Sequence, residues 1–172
     1  MLEETAFPML IYLTESLSIA KSNTEKNMKC SAGFLIETDE GFLMCHPTGR
    51  KDGIRTYDVP KGQVEEGEDH FEAALRELYE ETSIDWRNES FNFVDEISNE
   101  NDVKDLGQHK YIPGKDLHLF YINRNVDVEN LKCLSFFERN GRKLPEVNFY
   151  KVSYELDYFY KTLQEYLEKY FV

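Results

Sequence analysis

The sequence predicts an α/β fold, a mixed β-sheet with a helix on each face, and three observations carry that prediction. Between Asp69 and Thr82, the residues Phe71, Ala74, Leu75, Leu78 and Thr82 recur at i, i+3, i+4 and i+7, the stripe of a helix packed on a core. A second helical pattern closes the chain, with Leu156, Phe159, Tyr160, Leu163, Leu167 and Tyr170 on one side of the stretch Tyr154–Val172. Between and before them lie short segments with strand character bounded by turn residues. Strands flanked by two such helices suit an α/β/α sandwich. At 172 residues, with 41% hydrophobic and 14% aromatic residues, the chain has the size and composition of one domain with a substantial core.

Taken in order, residues 1–27 stand apart as an N-terminal extension, an arm or a short helix opened by Pro8, with the domain proper spanning 28–172. The apolar residues of the extension are bunched at Met9–Leu13, and it lacks the basic start of a signal peptide. A helix packed on its own domain or on a partner subunit is the expected role. Cys30–Glu37 and Gly41–His46 read as strands of a hairpin turning at Thr38–Gly41. A loop at residues 47–56 holds the bases Arg50, Lys51 and Arg55, and Tyr57–Gly62 is a short strand leading into the first helix.

Asp69 followed by Glu72 is a capping-box arrangement, so that helix starts at Asp69 or His70. After a turn at 85–90, Phe91–Ser98 alternates as a half-buried strand. Residues 99–114 are polar, with Gly107, Pro113 and Gly114, and read as a long loop of the kind that often forms a functional lid. Lys115–Asn123 is the next strand. Leu131–Phe137 and Glu146–Ser153 are two more, joined at Arg139–Arg142.

Charge narrows the function classes. The net charge of −13 and pI near 4.8 argue against a surface for non-specific nucleic-acid or acidic-membrane binding, which needs a basic patch. No run reaches the roughly 18 apolar residues of a membrane span. Cys30, Cys45 and Cys133 are odd in number and without C-x-x-C spacing, which fits reduced thiols in a soluble, cytoplasmic protein. None of the four histidines, at 46, 70, 109 and 118, has ligand spacing to another.

The first helix carries the chemistry. At 3.6 residues per turn, Glu77, Glu80 and Glu81 fall on one flank of its apolar stripe. Like charges at these spacings cost roughly 0.2–0.5 kcal/mol per pair. Anions near a helix C-terminus cost about 0.3–1 kcal/mol more each. Arg76 is the one nearby arginine, and Glu72 competes for it. A divalent cation removes the penalty, because Mg²⁺ takes carboxylate oxygens and keeps water and phosphate oxygens as its other ligands. A solvated acidic face is the alternative for an arbitrary Glu-rich helix.

The order of the whole stretch GQVEEGEDHFEAALRELYEETSI, Gly62–Ile84, decides between them. Gly62, then Glu68, then Arg76-Glu77-Leu78-Tyr79-Glu80-Glu81 resembles the signature of the Nudix hydrolases. One position departs: Ser83 stands where the family usually has Gly, a residue suited to a left-handed helix terminus. Every acidic position of the signature is present.

The resemblance implies a Nudix-type α/β/α sandwich and hydrolysis of a nucleoside diphosphate linked to another group, with Mg²⁺ or Mn²⁺ as cofactor. Carried over by position, Glu80, Glu81, Glu77 and the Gly62 carbonyl are the expected metal ligands. Glu77 is a ligand or the base that takes the proton of water, and Arg76 holds a signature glutamate in place. Tyr57, Lys61, Arg55 and Lys115 are the candidates for substrate contact. Glu146 is the candidate for a further carboxylate, because EVNFYKV resembles a late segment of the dinucleoside tetraphosphate hydrolases; Glu129 and Glu138 compete for that role.

The implied partner is a small nucleotide, with the protein a monomer or homodimer. A dinucleoside polyphosphate such as diadenosine tetraphosphate ranks first as substrate. ADP-ribose or another nucleotide derivative ranks second, and the 5′ end of RNA third. A Nudix module that senses nucleotides without catalysis is the non-enzymatic alternative, and such modules usually lack a signature glutamate.

Overall fold

The computed structural model describes residues 29–85 and 103–171. The extension at 1–27 and the strand expected at Phe91–Ser98 lie outside them. The elements are β1 (Lys29–Thr38), β2 (Gly41–Pro47), β3 (Lys61–Gln63), α1 (His70–Thr82), β4 (Lys104–Ile112), β5 (Lys115–Asn123), β6 (Phe136–Arg139), β7 (Arg142–Pro145), β8 (Val147–Ser153) and α2 (Lys161–Phe171). The main sheet runs β4-β5-β1-β2-β8, with β3 also paired to β1. It is mixed: β1 and β5 are parallel from Lys29↔Lys115 to Glu37↔Asn123, and the other pairings are antiparallel.

The sheet has an apolar layer on each side, as the two helical stripes predict. On one side Ala73, Ala74 and Leu78 of α1 pack on Ala32, Phe34, Ile36, Leu43, Phe120 and Ile122. On the other, Leu163 and Leu167 of α2 pack with Leu35, Met44, Leu117, Leu119 and Phe159. Alternation along β1 and β5 sends successive side chains to opposite layers, so both faces are apolar and both are covered.

The chain leads into α1 through a split in the sheet. β1 and β2 pair only beside their turn, at Glu37↔Phe42 and Thr38↔Gly41. Beyond that, residues 58–63 run between them: Cys45 and Asp58 exchange backbone hydrogen bonds, Phe34 N–H donates to the Pro60 carbonyl, and β3 takes over the β1 edge. Gly33 permits this approach, since a Cβ there would lie 2.5 Å from the Pro60 oxygen. The expected strand at Tyr57–Gly62 is thus only an isolated pairing at Tyr57 and Asp58 followed by β3.

Three further expectations are corrected. Most of the lid expected at 99–114 is β4, an edge strand in which Tyr111 alone is buried, so its polar sequence shows no core-facing alternation. The C-terminal helix starts at Lys161, because Leu156–Tyr158 forms a 3-10 turn and Phe159 is extended and paired with Tyr57. Residues 131–135 are irregular, and the Arg139–Arg142 turn joins β6 to β7 in a separate two-stranded ribbon.

α1 ends as the sequence suggests, with Ser83 in the left-handed conformation (φ 63°, ψ 11°) and its N–H on the Tyr79 carbonyl. A side chain pays for that conformation, so Ser83→Gly is expected to stabilise the protein by about 0.5–1 kcal/mol after the greater freedom of glycine in the unfolded chain is counted. Urea denaturation measures this; an unchanged or lower midpoint contradicts it.

Candidate active site

The N-cap residue Asp69 accepts the Glu72 N–H at 2.8 Å, which fixes the rotation of α1 and therefore the direction of its acidic edge. Glu77 points inward and is 8% exposed. β3 crosses directly against it: a Cβ on Gly62 would lie 2.0 Å from the Glu77 carboxyl carbon, so only glycine fits there. One residue earlier, the Lys61 N–H donates to Glu81 Oε2 at 2.9 Å. The backbone of β3 and the carboxylates of α1 thus form a single wall.

Arg76 ties the acidic residues together. Its Nε and Nη2 bind the two Glu68 oxygens at 2.9 Å each, Nη1 reaches Glu77 at 2.7 Å and Glu80 at 3.3 Å, and Nη2 donates to the Gln63 carbonyl at 3.0 Å. The partner expected to compete, Glu72, is absent from this set; Glu68 takes that place because its loop folds back beside the helix. Hydrogen bonds from Arg76 hold the Glu68 carboxyl below the usual range. Removing the guanidinium strands several carboxylates at once, so Arg76→Met is expected to cost about 2 kcal/mol, with Arg76 itself 25% exposed. A urea midpoint within error of the wild type contradicts that network.

The C-terminal end of α1 has no basic residue in its last turn, yet its carbonyls are well supplied with donors. Leu134 and Ser135 N–H groups reach the Glu80 carbonyl at 2.6 and 3.0 Å, Lys132 N–H the Thr82 carbonyl at 3.2 Å, and the Tyr150 hydroxyl the Glu81 carbonyl at 2.6 Å. These donors offset the unfavourable field that the helix end exerts on Glu80 and Glu81.

A cleft of about 450 Å³ opens in front of this wall. Gly62, Glu77, Glu81 and Glu146 line it together with Lys61, Lys115 and Asp58. Burial pushes the Glu77 carboxyl up, with Arg76 opposing. Burial pushes Glu81 up to about 8, against the pull of the Lys61 ammonium and N–H. Lys115 is pushed down by burial and then by the neighbouring Lys61. Burial alone would lower Lys61, but Asp58 beside it reverses the direction and raises it.

The expected site residues fall into two groups. Glu77, Glu81, Gly62, Lys61, Lys115 and Glu146 line the cleft, with Arg76 behind Glu77; of the three late carboxylates considered, Glu146 lines it and Glu129 and Glu138 do not. Glu80 turns to Arg76 and is 40% exposed, outside the cleft lining. Tyr57 is placed in the core, 0% exposed, its hydroxyl donating to Asp52 and its ring edge-on to His46; a ring so enclosed offers no face to a ligand. Arg55 is exposed in the loop, in a left-handed conformation with its N–H on Asp157, and does not line the cleft.

Sequence reasoning missed Asp58, 4% exposed in the cleft wall. An acid between Tyr57 and Val59 in an apolar run is itself a signal, since buried charges are paired charges.

Among the described residues no three His, Cys, Asp or Glu side chains are gathered closely enough to hold a metal ion as they stand. Arg76 and the Lys61 N–H hold the glutamates instead. The donor set nevertheless fits a hard divalent cation: carboxylates on adjacent turns of α1, Glu146 across the cleft, and the backbone of Gly62 pressed against Glu77. The one thiol in the lining, Cys45, is held protonated by burial.

The fold is a three-layer α/β/α sandwich, and its cleft, walled by an acidic helix and flanked by lysines, has the donors for a hard cation and for phosphate oxygens. The NUDIX domain model matches residues 29–160, and the chain belongs to the Nudix family of pyrophosphohydrolases. It is 36% identical over 127 residues to an uncharacterized 17.7 kDa protein from the e-segB intergenic region of Enterobacteria phage T4, covering 69% of this chain and 77% of that one. It is 54% identical over 33 residues to an RNA pyrophosphohydrolase of Azorhizobium caulinodans, a stretch that covers 19% of this chain and only 20% of that protein. The crystal structure of the MutT protein from Methanosarcina mazei Go1 matches in fold with a TM-score of 0.52 at 20% identity, covering 82% of this chain and 91% of that one. Among the described residues no helix is long and apolar enough to cross a membrane.

Proposed function

We propose that this protein hydrolyses a phosphoanhydride bond in a nucleoside diphosphate linked to a second group, with Mg²⁺ or Mn²⁺, and that its substrate is a dinucleoside polyphosphate such as diadenosine tetraphosphate. The observation that carries this reading is the composition of the cleft, where Lys61 and Lys115 stand among Glu77, Glu81 and Glu146. A polyphosphate needs cations at its bridging and terminal oxygens, and a protein of net charge −13 supplies few of its own. Glu77, Glu81 and the Gly62 carbonyl would hold the metal, Glu80 would join them on leaving Arg76, and Glu146 is the further carboxylate that faces the site. When bound, the ion supplies Lewis-acid polarisation of phosphate oxygens and lowers the pKa of a bound water.

The residues of the chain do the rest. Lys61 and Lys115 bind phosphate charge. Arg76 fixes Glu77 against the β3 backbone through a charge-assisted hydrogen bond. Glu77, whose carboxyl burial makes more basic, is the residue that would take a proton from water. Glu146 faces the cleft from a backbone held at both ends, its N–H on the Ser135 carbonyl and its carbonyl on the Thr48 N–H. We place the protein in the cytoplasm, in keeping with three free cysteines, as a monomer or homodimer.

The short resemblance to an RNA pyrophosphohydrolase favours a second reading, removal of a 5′ diphosphate or cap from RNA. The net charge of −13 works against it, since the backbone of a long RNA requires a basic track. The deciding experiment is a panel of dinucleoside polyphosphates, ADP-ribose and 5′-triphosphorylated RNA with Mg²⁺ or Mn²⁺, products read by mass spectrometry in ¹⁸O-water. Fastest turnover of the dinucleoside polyphosphate is expected. Preference for RNA replaces the substrate assignment, and no product from any member leaves a nucleotide-sensing module.

A further inference from the structure

Asp58 has no part in the mechanism above, yet its carboxylate is buried and both of its oxygens are held. Oδ1 accepts the Val59 N–H at 2.9 Å. Oδ2 accepts the Tyr111 hydroxyl and faces the Lys61 ammonium at 3.0 Å. Tyr111 comes from β4, on the far edge of the sheet, so Asp58 is fixed from an element independent of its own loop. The Lys61 ammonium also lies 5.1 Å from the centre of the Tyr111 ring, a cation–π contact that adds to the pairing.

Lys61 is also the residue whose N–H holds Glu81 Oε2. Its side chain leaves the opposite face of β3 from Gly62, yet its ammonium is near enough for Glu81 to feel its charge, and without a competing partner it would pair with Glu81. Instead it is drawn to Asp58, and that single hydrogen bond to Oε2 is the only one the Glu81 carboxylate makes among the described residues.

We propose that Asp58, anchored by Tyr111, is a positioning residue that draws the Lys61 ammonium away from Glu81 and leaves that carboxylate open to a divalent cation. The inference rests on the reading of Glu81 as a metal ligand. It explains why an acid that binds neither the helix nor its cap is buried in the cleft wall. It also gives Lys61 a fixed place at the side of the cleft, where it meets substrate phosphate without displacing metal.

The test is Mn²⁺ titration of the full chain, with free Mn²⁺ read by electron paramagnetic resonance, for wild type, Asp58→Asn, Lys61→Met and the double variant. In Asp58→Asn the ammonium turns to Glu81, and the Mn²⁺ dissociation constant rises roughly tenfold. Adding Lys61→Met to that variant restores binding to within about threefold of wild type, the margin expected of sites that no longer interact. Lys61→Met alone also stays within that margin, because its ammonium is not on Glu81 to begin with.

The inference is overturned if Asp58→Asn binds Mn²⁺ as wild type does, or if the double variant stays as weak as Asp58→Asn. It is equally overturned if Lys61→Met alone binds tenfold tighter. Should Asp58→Asn fail to fold by circular dichroism, Lys61→Met decides: binding within the margin supports the inference, and tenfold tighter binding overturns it. A wild type that takes up no Mn²⁺ removes the metal reading itself and this inference with it.

Discussion

Glu81→Gln is expected to abolish turnover while leaving the fold intact. The glutamine carbonyl can still accept the Lys61 N–H that Glu81 Oε2 accepts, so the link between β3 and α1 survives. What is lost is the negative charge, and with it the proposed metal ligand. Stabilisation of transition-state charge by a bound metal is worth several kcal/mol, so kcat should fall by about a thousandfold or more.

Stability should move the other way. Burial raises the Glu81 carboxyl from 4.5 to about 8. A carboxyl raised on folding costs stability as pH rises from its unfolded value through its folded one, because the unfolded chain ionises first. In chelator, therefore, wild type should lose stability relative to Glu81→Gln between pH 4.5 and pH 8. Thermal melts across that range measure it. A variant that melts well below wild type at pH 8, or that retains turnover, contradicts the placement of Glu81.

Gly62→Ala should be nearly as damaging, for a steric reason. The added methyl would lie 2.0–2.2 Å from the carboxyl atoms of Glu77, which is enclosed and held by Arg76. Either Glu77 or β3 must move by about an ångström, and displacements of that size at a reacting centre cost roughly a hundredfold in rate. Forced repacking should lower stability by about 1–3 kcal/mol as well. Steady-state kinetics and urea denaturation measure the two effects separately. Wild-type kcat/KM in Gly62→Ala would show that Glu77 does not work from this position.

Much of this was legible in the sequence because it is local. The capping acid Asp69, the apolar stripe of α1 and the order of its acids are all set within a few turns of one helix. Both strands of the first hairpin and the strand Lys115–Asn123 were legible for the same reason, since each carries its own alternation or apolar run.

What the sequence hid depends on contacts between distant segments. β4 is a polar edge strand whose pairing with β5, and not its own periodicity, defines it. The donors that cap α1 come from residues 132–150, and nothing near the helix announces them. Tyr57 looked like a binding residue from its place before the signature, but the split between β1 and β2 turns it into the core. Glu80 sits with Arg76 because a guanidinium one turn away is the nearest cation to it.

The central claim is that the acids of α1, held in place by Arg76 and the β3 backbone, bind divalent ions. The most direct measurement is the melting temperature of wild-type protein titrated with Mg²⁺ or Mn²⁺, with and without nucleotide. The account predicts a rise that grows with the logarithm of ion concentration above the dissociation constant, reaching about 2.7 kcal/mol of added stability when the ion is at a hundred times that constant. A melting temperature that stays flat across both titrations would contradict it.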